Sequence, residues 1–167
     1  TPAPAAASPL ASPPDDVWRH ALAMRDTLAS GAARRTREAA GDRLLTGTAR
    51  FVAPGELDVD GRRVRARAVV VATGSRPVVP GLLRELGDAV LTTDTLFSLD
   101  RLPRSIGIVG AGAVGLEMAA ALARLGVRVV AADLKAAPAG VVDPVVAERV
   151  IQRLRDEITL WLGAPVQ

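Results

Sequence analysis

Cysteine is absent from all 167 residues, so this chain can supply no disulfide, no thiolate metal site and no redox thiol pair. Aromatic residues make up only 2%. Alanine and valine supply most of the apolar content, so the core is expected to be built from small side chains, as in a tightly packed α/β sheet rather than an aromatic-rich β-sandwich. Lysine occurs once, at Lys135, and the arginines that carry the net charge of +3 are scattered along the chain. No basic face with interleaved aromatics emerges, so a nucleic-acid partner is not expected. Uncharged apolar runs of membrane-span length are also missing; the one beginning at Ile106 is broken by Glu117 and Arg124. The start, Thr1-Pro-Ala-Pro4, has no basic n-region and does not read as a signal peptide. The expectations are a cytoplasmic protein with no membrane partner and no metal site. What is present, 49% hydrophobic residues, is enough to bury a core in one domain or parts of two.

Five prolines among alanine and serine in residues 1–14 predict a linker. Asp15 and Asp16 can cap a helix over residues 17–29, with Val17, Ala21, Met24 and Leu28 on one face and Gly31 as its end. A second, arginine-rich helix is expected over residues 32–40, stopped by Gly41. Residues 44–72 then read as a three-stranded antiparallel meander. Its strands are Leu44–Val52, Glu56–Val59 and Val64–Ala72, separated by Pro54-Gly55 and Asp60-Gly61 turns. The last strand becomes apolar on both faces at Val69–Ala72, as if entering a buried sheet. Further on, strand Ser105–Val109, helix 113–125, strand Arg128–Ala132 and a helix opened by Asp143-Pro144 alternate as in a doubly wound sheet. Another strand is expected beyond that last helix, where the chain soon stops. Trp18 and His20 belong to no motif and read as structural, and Trp161 as a core or interface residue.

The motif that carries chemistry is Gly110-Ala-Gly112-Ala-Val-Gly115. It follows an apolar strand and opens a helix, and the next strand ends in an acid, Asp133, at the distance such a fingerprint requires. Gly110 permits the turn, Gly112 lets the backbone approach a pyrophosphate, and Gly115 lets the helix pack close to the sheet. The amides of the first helical turn, at Ala113 and Val114, face the phosphates. Asp133 can accept from the ribose hydroxyls and would repel a 2′-phosphate, so NAD is favoured over NADP, a preference that Lys135 weakens.

With these residues in place, the segments Val69-Val-Val-Ala-Thr-Gly-Ser-Arg-Pro77, Thr92-Thr-Asp-Thr-Leu96, Leu102-Pro103 and Ile108-Val-Gly-Ala-Gly-Ala-Val-Gly-Leu-Glu117 resemble the pyridine nucleotide-disulfide oxidoreductases, and within them the dihydrolipoyl dehydrogenase branch. Gly47-Thr-Ala-Arg-Phe51 and Asp143-Pro144 fit the same pattern. The resemblance implies an α/β flavoprotein with two dinucleotide-binding domains. Residues 1–100 would be part of the FAD domain and residues 101–167 the first half of the inserted NAD domain. It further implies that Ala72, Thr73 and Gly74 lie at a strand end close to the flavin cofactor. Gly47, Thr48 and Ala49 would approach the FAD adenine. Glu117 would sit near the flavin–nicotinamide junction, paired with a lysine this chain does not contain. FAD and NAD are the cofactors expected, with hydride passing between nicotinamide and flavin and electrons to or from a disulfide or dithiol substrate. Lipoamide on a carrier protein is the substrate of the dihydrolipoyl dehydrogenase branch, and the parent would be a homodimer.

The departures are as informative. The first glycine motif, the Cys-x-x-x-x-Cys pair, the later Gly-Asp segment and the interface domain with its catalytic His-Glu pair are all missing, and residue 113 is alanine where some members place an aromatic over the flavin. With the missing initiator methionine, these absences lead to the expectation of a piece of a longer enzyme, cut at both ends, with no catalytic residue of its own and no activity alone. A redox-dead homologue is the rival account of the missing pieces. Two other readings of the function stay open: a same-fold flavoprotein without a redox disulfide, such as a soluble transhydrogenase or ferredoxin-type reductase, and a non-enzymatic NAD-binding module.

Overall fold

The computed structural model describes residues 12–165; the linker expected over residues 1–14 lies, as far as residue 11, outside them. The first element is helix α1, Pro14–Ala40. It is one helix, not two. Gly31 keeps a right-handed conformation, because a lone glycine costs only about 1 kcal/mol relative to alanine and its neighbours are strong helix-forming alanines and arginines. The expected stop does occur at Gly41, whose φ is +51°. Trp18 is the buried residue of α1, and its indole N–H donates to the Leu99 carbonyl at 2.9 Å. His20 is exposed and plays no part in a core.

The chain divides into two compact units, the described parts of Thr1–Leu22 with Leu99–Gln167, and Ala23–Ser98. The second contains a meander of β1 (Ala49–Ala53), β2 (Glu56–Val59) and β3 (Arg62–Arg65), paired antiparallel in that order. Asp60 and Gly61, with φ of +48° and +89°, form the left-handed two-residue turn their sequence implies. One face carries the row Arg50, Asp58, Arg63 and the pair Glu56, Arg65, with ion pairs of 3.5 Å from Arg63 to Asp58 and from Arg65 to Glu56. Phe51, Leu57 and Val64 line the other.

Both outer strands are shorter than their sequences suggest, for one reason. The central strand has four residues, Ala49 pairs with its last and Arg65 with its first. Residues before Ala49 therefore lie beyond β2, and after Arg65 the pairing ends with the Ala66 N–H on the Gly55 carbonyl at 2.8 Å, in the turn before β2. The stretch Val69–Ala72 is not a strand, and Val70 is 89% exposed. The expected passage into a buried sheet, and the strand end at Ala72-Thr73-Gly74, are thus not seen among the described residues. A short helix α2, Gly81–Arg84, follows.

The first unit is built on a parallel sheet. β4 (Ser105–Val109), α3 (Ala113–Arg124), β5 (Arg128–Asp133), α4 (Pro144–Arg155) and β6 (Thr159–Leu162) alternate, and the strands pair in the order β4-β5-β6. The strand anticipated after α4 is therefore present. The order is that of one half of a doubly wound sheet. Leu116, Ala119, Leu122 and Ala123 form the buried face of α3, which packs on β5. Ala119 and Ala131 are wholly buried, but the core is not made of small side chains alone, since Leu116, Leu122, Ile158 and Leu160 are buried with them. Trp161, by contrast, is 61% exposed on β6 and is not a core residue. Gly126, at φ +85°, closes α3, its N–H donating to the Ala123 carbonyl at 2.9 Å. Asp143 caps α4, its Oδ1 accepting from the N–H groups of Val145 and Val146 at 2.9 and 3.0 Å. Arg124 grips Glu157 with two hydrogen bonds of 2.9 and 3.1 Å, tying the end of α3 to the turn before β6.

Candidate nucleotide site

The site forms where β4 turns into α3. Gly110 extends the ladder, its N–H donating to the Ala132 carbonyl at 2.8 Å. It then turns with φ +111°, which favours glycine. Gly112 is exposed, and a Cβ there would meet no atom within 4 Å. The space in front of it is open to a ligand. At Gly115 the opposite holds. A Cβ would overlap the Gly110 carbonyl oxygen, with the carbonyl carbon at 3.1 Å and Ile108 Cγ2 at 3.5 Å. The three glycines therefore do three different things: one turns, one leaves room, and one lets helix and strand touch.

Helix α3 begins without a side-chain cap, since residue 112 has no side chain to offer. The first amides of a helix have no intrahelical acceptor, and here they open onto the exposed surface of Gly112, Ala113 and Val114. An anion placed there would meet N–H groups and the positive end of the helix.

Asp133 ends β5 beside this loop. Its Oδ2 accepts from the Ala111 N–H at 2.7 Å and its Oδ1 from the Lys135 N–H at 2.9 Å. The carboxylate is half-buried and has acceptor capacity beyond these two bonds. The acid 18 residues after Gly115 in the sequence is thus adjacent to the glycine loop in space, and Gly110, Gly112, Ala113, Val114, Gly115 and Asp133 are gathered at one end of the sheet. Glu117 lies one turn into α3 and is exposed. These residues fit the pyrophosphate and ribose of a dinucleotide: an open approach, uncapped amides and an acceptor for hydroxyls.

The two segments that the resemblance would bring near a flavin lie in the other unit. Gly47, Thr48 and Ala49 lead into β1, and the Thr48 N–H donates to both Asp60 carboxylate oxygens at 3.2 Å. A Cβ on Gly47 would collide with that same carboxylate, so a glycine is required there by the hairpin itself. Ala72, Thr73 and Gly74 are exposed, with Gly74 at φ +71°.

Sequence reasoning missed the loop that leaves Asp133. Pro138 is buried, and the Ala139 N–H donates to the Ala111 carbonyl at 2.8 Å. The Pro138-Ala-Gly140 triplet is a turn signal, but nothing in it points to a partner 28 residues earlier. Among the described residues no cluster of His, Cys, Asp and Glu could hold a metal ion, and no helix is long and apolar enough to cross a membrane.

A family model described as pyridine nucleotide-disulphide oxidoreductase matches residues 7–167. Among curated proteins, a soluble pyridine nucleotide transhydrogenase of Mycobacterium tuberculosis is 32% identical over 130 residues, 74% of this chain and 28% of that protein. A glutathione reductase of Burkholderia cepacia is 32% identical over 116 residues, 68% of this chain and 25% of its own length. A dihydrolipoyl dehydrogenase of Bacillus subtilis is 47% identical over 64 residues, which are 38% of this chain and 13% of that protein. The HOCl-induced flavoprotein disulfide reductase RclA from Escherichia coli has the same fold, with a TM-score of 0.76 at 22% identity over 93% of this chain and 40% of its own. The chain spans less than a third of the curated relatives it matches.

Proposed function

Given that the chain belongs to the pyridine nucleotide-disulphide oxidoreductases, a family of FAD-binding, NAD(P)-dependent enzymes, we propose that it is the part of such a flavoenzyme that seats the pyridine nucleotide. In this reading residues 101–167 are the first half of the NAD domain and residues 1–100 a part of the FAD domain. The enzyme passes reducing equivalents between NAD(H), FAD and a disulfide or dithiol. When bound, flavin and nicotinamide supply the redox chemistry. The chain's own residues bind and orient. Gly112 admits the pyrophosphate to the amides of Ala113 and Val114, and Asp133 accepts from the ribose hydroxyls, a preference for NAD over NADP. Glu117 positions the nicotinamide end. Gly47, Thr48, Ala49, Ala72, Thr73 and Gly74 line the flavin's side. The carrying observation is the Asp133 carboxylate bound to the amide of Ala111, between the first two glycines, at 2.7 Å.

The substrate in this reading is lipoamide on a carrier protein, supported by the 47% identity to a dihydrolipoyl dehydrogenase. A soluble transhydrogenase is the second reading, favoured by a match over 74% of the chain. Calorimetric titration of the chain with NAD⁺, NADP⁺ and FAD tests the binding roles; NAD⁺ binding that G112A weakens is the expected result, and no binding of either nucleotide would reject the reading. The full-length enzyme, assayed with NADH and lipoamide against NADH and a thio-analogue of NADP⁺, separates the two activities. The chain alone, lacking thiols, is expected to reduce no lipoamide, and turnover by the purified chain would contradict that.

A further inference from the structure

We propose that the turn Pro138–Gly140 is a clamp that sets the glycine loop in its nucleotide-binding shape before a nucleotide arrives, with Ala139 as the positioning residue. The inference rests on the reading of that loop as the pyrophosphate seat.

Ala111 stands between the first two glycines and is 1% exposed. Both of its backbone polar groups are held by the chain that leaves β5. Its N–H goes to Asp133 Oδ2 at 2.7 Å, and its carbonyl accepts from the Ala139 N–H at 2.8 Å. A loop with two flexible glycines is thereby pinned at its middle residue. The pinning segment is itself anchored. It starts with the Lys135 N–H on Asp133 Oδ1 at 2.9 Å, it buries Pro138, and both α3 and α4 pack against it.

Ala139 has φ +52°, ψ +15°, and Asp60 is the other non-glycine residue with positive φ among the described residues. At Asp60 a hairpin turn requires that conformation, and aspartate tolerates it. Ala139 has no side-chain group to compensate for it. A left-handed alanine persists only where its surroundings over-determine it, and such residues gather at functional sites. Here the surroundings are the two-residue left-handed turn it forms with Gly140, at φ +73° and closed by the Val141 N–H on the Pro138 carbonyl at 3.0 Å, the buried proline before it and the hydrogen bond it donates. The peptide plane between Pro138 and Ala139 aims that N–H at Ala111, and the left-handed conformation of Ala139 turns the chain beyond it back, so that the Val141 N–H reaches the Pro138 carbonyl and holds Pro138 in place. A loop held this way loses less freedom when it closes on a ligand, and the affinity gain is largest for the part of the ligand that the loop touches.

The test uses the whole chain and three variants. Ala139→Pro removes the N–H and excludes positive φ. Ala139→Val keeps the N–H but disfavours positive φ. Ala139→Gly keeps the N–H and relieves the conformation. The readouts are hydrogen exchange of the Ala111 amide without ligand, and NMR titration with ADP-ribose and with adenosine, which lacks the pyrophosphate. Expected for A139P is about tenfold faster Ala111 exchange and about tenfold weaker ADP-ribose binding, with adenosine binding changed less than about twofold. A139V is expected to fall between wild type and A139P, and A139G to remain near wild type. If A139P does not fold, the Gly, Ala, Val series decides. ADP-ribose affinity and Ala111 exchange equal to wild type in A139V and in folded A139P would overturn the clamp while leaving the nucleotide site intact. Weakened adenosine binding to the same extent as ADP-ribose would also overturn it, by showing a general loosening. A wild-type chain with a protected Ala111 amide that binds no ADP-ribose would overturn the nucleotide reading itself, and the clamp's purpose with it.

Discussion

Gly112 and Gly115 are three residues apart, and replacing each by alanine should give opposite phenotypes. At Gly115 the added methyl runs into the Gly110 carbonyl oxygen. That oxygen belongs to the backbone leaving β4 and cannot rotate away. Relief requires α3 to move off the sheet, separating Leu116 and Ala119 from β5. Overpacking of this kind costs about 2–3 kcal/mol, offset by about 1 kcal/mol because alanine suits a helix better than glycine. The net loss is about 1–2 kcal/mol. At Gly112 the backbone sits at φ −70°, ψ 177°, open to any residue, and the methyl meets nothing. Stability should change by no more than about 0.5 kcal/mol. The same methyl occupies the approach to the amides of α3, so NAD⁺ affinity should fall at least about tenfold, or about 1.4 kcal/mol. Urea denaturation and calorimetric titration of both variants measure the two effects separately. G115A as stable as the parent, or G112A binding NAD⁺ as tightly, would refute the division of labour among the glycines.

Asp143→Ala removes the cap of α4 and should lower stability by about 1 kcal/mol in urea denaturation, because two amides lose their acceptor. Trp18→Phe keeps most of the buried ring but leaves the Leu99 carbonyl without its indole donor; a loss of about 1 kcal/mol in the same assay is expected. Acid should weaken the first unit through Glu157. The hydrogen bonds from Arg124 hold its carboxyl below its ordinary value of 4.5, against the opposing effect of partial burial and with help from the charges of Arg124 and Arg153. A carboxyl lowered by folding contributes its full stability above that ordinary value and loses it as pH falls through the folded one. The urea midpoint of the parent should therefore drop more steeply than that of Glu157→Gln below pH 4.5, and parallel curves would deny the linkage.

What could be read from the sequence was whatever is settled locally. Gly110, Gly112, Gly115 and Asp133 could be placed because strand, turn and helix each dictate a residue type at a fixed spacing. Gly126, Gly41, Asp60-Gly61 and Asp143-Pro144 mark ends and turns for the same reason. Where a partner decides, the sequence was a poor guide. Val69–Ala72 has the composition of a buried strand, but a strand exists only beside another, and β2 begins too late to extend β3. Gly31 reads as a stop, yet the helix on either side outweighs it. Trp161, expected in a core or an interface, is exposed on β6, which excludes the core alone. The bond between Ala139 and Ala111 depends on a fold that brings two loops together, and no local spacing announces it.

The exposed run Ala68-Val-Val-Val-Ala-Thr73 bears on association as well as on the fold. Val69, Val70, Val71 and Thr73 have high β-propensity, and with no charge or proline among the six residues they form the kind of segment that stacks into intermolecular sheets when left uncovered. Its flanks bear Arg65 and Arg67 on one side and Arg76-Pro77 on the other. Charges and a proline at such borders act as gatekeepers, raising the electrostatic and backbone cost of adding another copy. The same arginines that look like unremarkable surface residues thus stand where they oppose the stacking of this exposed segment on another copy.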